Sequence, residues 1–580
     1  MDDAYGDRGS DDLSMSGVAA KLFPSLHGYE HKWLRPDLVA ALTLWAVLVP
    51  EALAYAAIAG VSPVVGLYAV PGALILYAVL GSSRELVVGP GAAAAALSAA
   101  TVGEVAAGGS EEFVQLTVAL ALCVGAAALI AGLLRLGFVA NLISVPVLRG
   151  FIIGLALTII VGQVPALLGI DDGEGNFFEK LADLISGLGS VDALTVAVGG
   201  GSLVILLALR RFLSAVPGAL VVVVLSIVLV KVFDLDEHGL AVIGSIDSGL
   251  PSFGLPDASA SDYGALAAGA IGVMLVGFAE GLAAAKTYAA PRHEEIDANR
   301  ELLGLGGANI ASGLSSGMVV NGSLSKTAIS AGAGVRTQLG GLAVAVLTVV
   351  TILFLTGLFE SLPEATLAAI VVVALMDLVD YHKLVALYRV SSDRLGRAYG
   401  VAARPDFLAA MAALLGVLVF DTLPGLFIGI GASLLLLLYR VSRPRIAVLG
   451  RVPGTDGQFG DVEQHPKNTV DPAVVVLRVE GGLFFANADS LRQRVLSETG
   501  ADGVHAVVLD AETVAFIDVT AARMLRDLNE QLGRAGVRLL VARDVGQFRD
   551  VLRRAVPDAK FDATYPSVDA AVKAAGRADT

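Results

Sequence analysis

Two glycine-punctuated segments and three ionisable residues set in apolar surroundings carry the chemistry this sequence can do. Glu51 stands in Pro50-Glu51-Ala52-Leu53-Ala54-Tyr55, and Glu280 in Val276-Gly277-Phe278-Ala279-Glu280-Gly281-Leu282. Lys326 stands in Asn321-Gly322-Ser323-Leu324-Ser325-Lys326-Thr327. A carboxylate in the middle of a membrane span costs roughly 2.5 to 3.5 kcal/mol even on the lenient insertion scale, so it persists only with a partner, a cavity or a proton. Glu280 and Glu51 therefore read as proton- or cation-coupling groups, Glu280 first; a carboxyl hydrogen-bonded inside a helix bundle is the competing reading.

The glycine-punctuated segments are too short to cross a bilayer. A helix following Val88-Gly89-Pro90-Gly91 through the alanine run to Val102 would rise about 18 Å against a hydrocarbon core of about 30 Å, and the segment from Asn321 to Gly334 is similar. Each is read as half a helix. Half-helices at corresponding places in two halves of a membrane protein mark a midplane site, where their N-termini direct unsatisfied N–H groups at an anion. Gly89 and Gly91 allow close backbone approach, Pro90 gives up an N–H that has no intrahelical partner, and the N–H groups from Gly91 through Ala92 to Ala93 face the ligand. Ser323, Leu324 and Ser325 supply the first turn of the second half-helix, with Thr327 as a further hydroxyl and Lys326 as a fixed positive charge. Packing at a tight helix crossing and a snorkelling lysine are the structural competitors. Pro50 is expected to interrupt the first helix and release the Ala46 carbonyl towards the cavity, with Tyr55 nearby as a gating or pocket residue. With both carboxylates ionised and Lys326 protonated, the site holds one net negative charge and opposes a divalent anion until one carboxylate takes a proton.

The elements that must position these residues follow from hydropathy. The chain has 580 residues, 55% of them hydrophobic, and a mean hydropathy of +0.74, which places most of it in lipid or in a large apolar interior. About fourteen apolar segments begin near Leu38, Pro63, Gly89, Phe113, Leu142, Leu194, Val216, Tyr263, Glu301, Ser323, Gln338, Ala365, Asp406 and Pro424. With both ends cytoplasmic, the inner connections carry most of the arginine and lysine, among them Arg84, Arg135, Arg210, Arg211, Arg292 and Arg300, whereas the outer ones carry Lys180 and Lys231. The outer loops are acidic, as at Asp171-Asp172-Gly173-Glu174. Two sets of about seven spans, at about 37–233 and 263–440, place a short helix third in each. An odd number of spans inverts the second set relative to the first. The hydrophilic arm 1–36 lacks the basic start of a signal peptide and is expected to stay in the cytoplasm.

After Arg440, Arg443 and Arg445 the composition becomes that of a soluble domain. Residues 441–471 read as a linker or loop, and 472–580 as alternating strands and helices, hence a small α/β domain. The single cysteine, Cys123, has no intrachain partner, and the seven histidines form no metal-ligand constellation, so neither a disulfide nor a metal site is expected. A net charge of -15 argues against a nucleic-acid partner. No catalytic nucleophile, phosphate loop or paired carboxylates in a soluble pocket stands out. Enzymatic activity and an organic cofactor are not expected; a proton is the expected coupling ion, with sodium as the alternative.

Pro50 to Ala56 followed by Gly60-Val61-Ser62-Pro63-Val64-Val65-Gly66-Leu67-Tyr68 resembles the signature of the SulP sulfate permeases, anion transporters related to prestin and pendrin. The resemblance continues through Ser82-Ser83-Arg84, Val88-Gly89-Pro90, Glu280 and Gly322-Ser323-Leu324-Ser325-Lys326-Thr327, and the C-terminal segment resembles a STAS domain. It implies a polytopic α-helical membrane protein of about 14 spans in a 7+7 inverted repeat, with core and gate domains, an anion site between the third and tenth spans, a cytoplasmic STAS-like domain and a homodimer. Many members have Gln where this chain has Glu51. It further implies multi-pass insertion in the cell (inner) membrane and symport of a small anion by alternating access, with sulfate first and bicarbonate, chloride or a dicarboxylate open. In the STAS-like segment, Asp518 is expected to cap a helix, and Thr520 aligns with a phosphorylatable serine of related anti-sigma-factor antagonists. A nucleobase/proton symporter of the same architecture, an anion exchanger or channel, and a regulatory receptor acting through the C-terminal domain are the alternatives.

Overall fold

Hydropathy and length decide which helices enter the bilayer. The computed structural model describes residues 29–576 apart from 107–109, 139–143, 172, 174, 214–215, 245, 247, 377, 380, 390–404, 421, 501–502 and 558–563. Its first set of membrane helices is α1 (Leu34–Ile58), α2 (Pro63–Leu80), α3 (Ala92–Gly103), α4 (Glu111–Leu133), α5 (Val145–Leu168), α7 (Ala193–Phe212) and α8 (Gly218–Phe233). The second is α9 (Ala260–Ala289), α10 (Ala298–Leu314), α11 (Leu324–Gly332), α12 (Leu339–Phe354), α13 (Glu364–Met376), α15 (Pro405–Phe420) and α16 (Thr422–Val441). Among the described residues this makes two sets of seven, with the shortest member third in each. Strand β1 (Val87–Gly89) leads into α3 and β2 (Asn321–Ser323) into α11.

The two sets interleave. Helices α1 to α4 pack with α9, α10 and α12 to form the core, while α5 and α7 pack with α13 and α15 on the gate side. In the core α4 lies close against α10: a Cβ on Gly125 would lie 2.8 Å from the Ile310 nitrogen and 2.9 Å from the Gly306 carbonyl oxygen, so only glycine lets these backbones meet.

Three expectations change. Pro50 does not interrupt α1, which is helical from Leu34 to Ile58 with Pro50 inside it; neighbouring helices bury this stretch and hold the turn in place of the missing hydrogen bond. The acidic loop after α5 contains an additional amphipathic helix, α6 (Phe177–Gly187), started by a capping box in which Asn176 and Glu179 satisfy each other's backbone N–H groups. The stretch 441–471, expected as linker, supplies β3 (Arg445–Arg451) and β4 (Phe459–Asp461), because its Val and Ile residues alternate into the sheet between the Gly- and Pro-rich turns. A short helix, α14 (Tyr381–Arg389), also lies between α13 and α15.

The boundary between the two compact units falls between Ser433 and Leu434. The C-terminal unit has one sheet of order β4-β3-β5-β6-β7, with β5 (Val474–Glu480), β6 (Ala506–Asp510) and β7 (Arg538–Ala542) parallel and β3 antiparallel to both its neighbours. Helices α17 (Ala488–Thr499), α18 (Val519–Arg534) and α19 (Gly546–Ala555) bury Leu491, Leu525 and Phe548 on one face. Helix α20 (Val568–Gly576) covers the other face through Val568, Ala571 and Ala575. Near-continuous Val and Leu in β5 and β6 fit strands covered on both sides.

Candidate functional site

Irregular backbone at membrane depth must have its polar groups satisfied from within the protein. Strands β1 and β2 pair antiparallel, Val87 with Ser323, Val88 with Gly322 and Gly89 with Asn321. Two strands of three residues are too short to hold themselves, and side chains complete them. Thr327 Oγ accepts from the Val87 N–H at 3.1 Å and donates to the Ser323 carbonyl at 2.6 Å. The Asn309 amide both accepts from the Val320 N–H and donates to the Val320 carbonyl. Gln338 donates to the carbonyls of Ser83 and Leu86. Glu301, fully enclosed, accepts from Tyr77 Oη at 2.8 Å, from Ser82 Oγ at 2.7 Å and from the N–H groups of Ser82 and Ser83.

This clamp brings the two half-helices together at their N-termini. They differ in one respect. Helix α11 is capped by Ser323, whose hydroxyl accepts from the Lys326 N–H. Helix α3 begins at Ala92 behind the extended residue Gly91 and has no side-chain cap among the described residues, which leaves the N–H groups of Ala92, Ala93 and Ala94 without a side-chain acceptor there. Such an end is left for water or an anion. Its 12 residues rise about 18 Å and the nine of α11 about 14 Å, as half-helices should.

Lys326 is buried, not snorkelling to an interface: its side chain is 1% exposed. Its Nζ donates to the Pro90 carbonyl at 2.6 Å, lies 3.2 Å from Glu51 Oε2 and stands 4.7 Å from the centroid of the buried Tyr55 ring. The Glu51 and Lys326 charges offset each other. Glu280, half-buried on α9, instead accepts from Asn321 Nδ2 at 2.7 Å. Among the described residues the buried Asn321 Oδ1 has no hydrogen-bond donor, and Glu51 Oε2 is held by its ion pair with Lys326. A Cβ on Gly91 would come 2.2 Å from Asn321 Oδ1, so glycine is what lets β2 lie against the start of α3.

The residues expected at the site thus separate into groups. Pro90, Gly91, Glu51, Tyr55, Lys326 and, through Asn321, Glu280 converge where the two half-helices begin. Gly89 is committed to the strand ladder, and Ala92 opens the uncapped turn. Leu324 and Ser325 are exposed on the first turn of α11, where Ser325 Oγ lies 3.2 Å from Ser323 Oγ. Pro50 is buried within α1, one residue before Glu51. A cleft of about 720 Å³ runs along α3 from Gly103 down to Ala96, one turn from Ala92, with Thr158, Gln163, Asn176 and Lys180 on its other walls. In the C-terminal unit, Asp518 caps α18 through the Ala521 N–H as expected, and Thr520 is exposed on the first turn.

Sequence reasoning missed Asn321, Asn309, Gln338 and Glu301 as the residues that hold the site. Asn321 opens the second motif, yet nothing in the sequence shows that its amide reaches Glu280. Glu301 carried the one usable signal, a carboxylate in an apolar helix.

Comparison with known proteins agrees with this architecture. Residues 34–395 match the sulfate permease family and residues 465–571 the STAS domain. The probable sulfate transporter Rv1739c of Mycobacterium tuberculosis (strain ATCC 25618 / H37Rv) is 38% identical over 529 residues, covering 91% of this chain and 92% of that protein. The probable sulfate transporter 4.2 of Arabidopsis thaliana is 32% identical over 533 residues, 88% of this chain and 76% of its own length. Among solved structures, the murine Slc26a9 anion transporter in the inward-facing state shares the fold with a TM-score of 0.87 at 22% identity, covering 99% of this chain and 97% of that one. A matched family region that takes in both half-helices, and a relative this similar over most of both lengths, make the chain a member of the sulfate permease family with a C-terminal STAS domain.

Proposed function

We propose that the protein is a secondary active transporter of a small anion, sulfate before bicarbonate, chloride or a dicarboxylate, working by alternating access and driven by proton symport. One observation carries the anion: the uncapped N-terminus of α3 set against the start of α11 beside a buried ammonium group. Sulfate stands first because the curated relatives are named as sulfate transporters. The oxyanion takes the N–H groups of Ala92 to Ala94, with Ser325 and the two helix dipoles facing it. Because Lys326 is already neutralised by Glu51, it contributes positive potential chiefly when that pair loosens.

Coupling follows from charge. With Glu51 and Lys326 offset, Glu280 is the uncompensated charge among the described residues of the site, and its ionised form opposes a divalent anion. A proton on Glu280 removes that opposition, and Asn321 Oδ1, without a donor among the described residues, gives a sodium ion an alternative seat beside it. The positive-inside pattern supports cytoplasmic termini, and insertion in the inner membrane rests on the family resemblance. The homodimer rests on the family resemblance. A phosphate on Thr520 would sit at the N-terminal dipole of α18, a favourable place for added negative charge.

The test is uptake of labelled sulfate into proteoliposomes under imposed pH and sodium gradients. An inward proton gradient is expected to concentrate sulfate, and Glu280→Gln to abolish that concentration while leaving downhill movement. Uptake indifferent to the proton gradient refutes the coupling; competition by uracil but not by oxyanions refutes the substrate class.

A further inference from the structure

The C-terminal unit presents an aromatic ridge that its own core does not use. Phe485 is 71% exposed, Phe516 43% and Val519 51%, although the sheet and helices beneath them are closed. The ridge is built, not frayed. Phe484 lies between the other two rings, edge-on to Phe485 at a centroid distance of 5.6 Å and tilted against Phe516 at 6.1 Å. The Leu483 N–H donates to the Phe516 carbonyl, and the Phe485 N–H donates to Asp518 Oδ2 at 2.9 Å. Gly482 has no side chain because the Phe516 ring occupies the space a Cβ would need. Holding an exposed phenylalanine by this many contacts means that its position matters while its burial is supplied from elsewhere.

The surroundings say what supplies it. The buried Asn487 donates through Nδ2 to the Gly482 carbonyl at 2.9 Å and to the Val441 carbonyl at 3.2 Å. Val441 is the last residue of α16, whose residues from Pro424 onward are long and apolar enough to cross a membrane. The turn bearing Phe485 is therefore pinned to the point where α16 leaves the bilayer. Leu434, Leu435, Leu437 and Leu438 are exposed along that end of α16. Beyond them come the exposed arginines Arg440 and Arg443, the latter with its guanidinium 4.6 Å from the centroid of the Tyr439 ring. Leucine, then tyrosine and arginine, is the order of a helix passing from acyl chains into headgroups.

We propose that the ridge of Phe485, Phe516 and Val519 is a membrane-contacting surface: it seats in the boundary between headgroups and acyl chains of the leaflet through which α16 leaves, while Arg440 and Arg443 engage anionic headgroups. Apolar side chains beside basic ones suit an anionic lipid surface. The contact fixes the C-terminal unit against the bilayer through the aromatic turn as well as through the covalent end of α16. The inference rests on α16 as a span and not on the identity of the transported anion.

Full-length protein in liposomes tests it. In a Cys123→Ser background, Phe485→Cys carries a bimane label, with Leu437→Cys as the lipid reference and Arg553→Cys, exposed on α19, as the aqueous one. Lipids brominated near the top of the acyl chain are expected to quench position 485 roughly twofold or more over position 553, and more strongly in anionic than in zwitterionic membranes. Arg440→Gln with Arg443→Gln should remove the anionic-lipid increment. Val519→Cys repeats the measurement at a second exposed position, should the label at 485 disturb the turn. Equal quenching at 485, 519 and 553, with 437 still quenched, overturns the proposal. Cross-linking of 485 between two copies without lipid quenching also overturns it, in favour of self-association.

Discussion

Replacing both members of the Glu51–Lys326 pair should cost less than the two single replacements added together. At 3.2 Å and an effective dielectric constant of about 20, the Coulomb attraction is about 5 kcal/mol, partly cancelled by the cost of bringing both groups out of water. Removing one partner strands the other: Glu51→Gln leaves a buried ammonium facing an amide and the Pro90 carbonyl, and Lys326→Met leaves a buried carboxylate with no cation. Each is expected to destabilise by about 3 to 5 kcal/mol, and Lys326→Met by more, because it also takes the donor from the Pro90 carbonyl. The double variant restores a neutral, well-filled site. Its loss should fall short of the sum of the single losses by about 2 to 3 kcal/mol. Thermal unfolding of detergent-purified protein reads the stability cycle, and sulfate uptake reads function in the same samples. Additive single effects, or an unchanged midpoint in Lys326→Met, would sink the argument that this pair organises the site.

Further outcomes follow from particular contacts. Gly91→Ala places a methyl group against Asn321 Oδ1 and displaces the amide that holds Glu280, so sulfate uptake should fall roughly 10- to 100-fold while the protein remains folded and dispersed by size-exclusion chromatography. Glu301→Ala removes the acceptor for four hydrogen bonds around Tyr77, Ser82 and Ser83 and should destabilise by about 3 kcal/mol or more in thermal unfolding, with Glu301→Gln intermediate. In the STAS domain, the Lys573 hydrogen bond, outweighing desolvation and aided by Arg451, holds the Asp569 carboxyl below the ordinary aspartate value of 3.8. A depressed value in the folded state contributes stability above 3.8 that disappears as pH falls through the lowered value. Hydrogen exchange across α20 should therefore be level between about pH 8 and 5 once corrected for the intrinsic rate, and faster in Asp569→Asn throughout that range. A loss of protection already at about pH 6 would show that this carboxylate does not hold the helix.

The membrane elements were legible because each obeys a local rule. Apolar length placed the starts of the spans within a few residues, from Leu38 against Leu34 to Pro424 against Thr422, since a bilayer core demands a long apolar stretch of any helix that crosses it. The half-helices were legible for the same reason, being too short and bounded by Gly and Pro. What failed were features in which a local signal was weighed without its neighbours. Pro50 read as a break, but packing on both sides of α1 keeps the helix continuous. The polar stretch after Arg440 read as linker, but β3 and β4 gain their partners from β5 and from each other, and sheet pairing across some thirty residues leaves little trace in a short window.

Composition, hydropathy and motif spacing by themselves determined that this is a membrane protein with two inverted sets of spans, a pair of half-helices and an α/β tail, because the solvent of each segment is written into its residues. Only the tertiary structure decided which charges meet. Lys326 chose Glu51 and the Pro90 carbonyl over open water, and Glu280 chose Asn321, since a buried ion must settle against whichever group the fold brings within about 3 Å. That separation depends on the β1–β2 pairing and on the absence of a Cβ at Gly91, relations between residues more than 200 positions apart that no local reading of the chain contains.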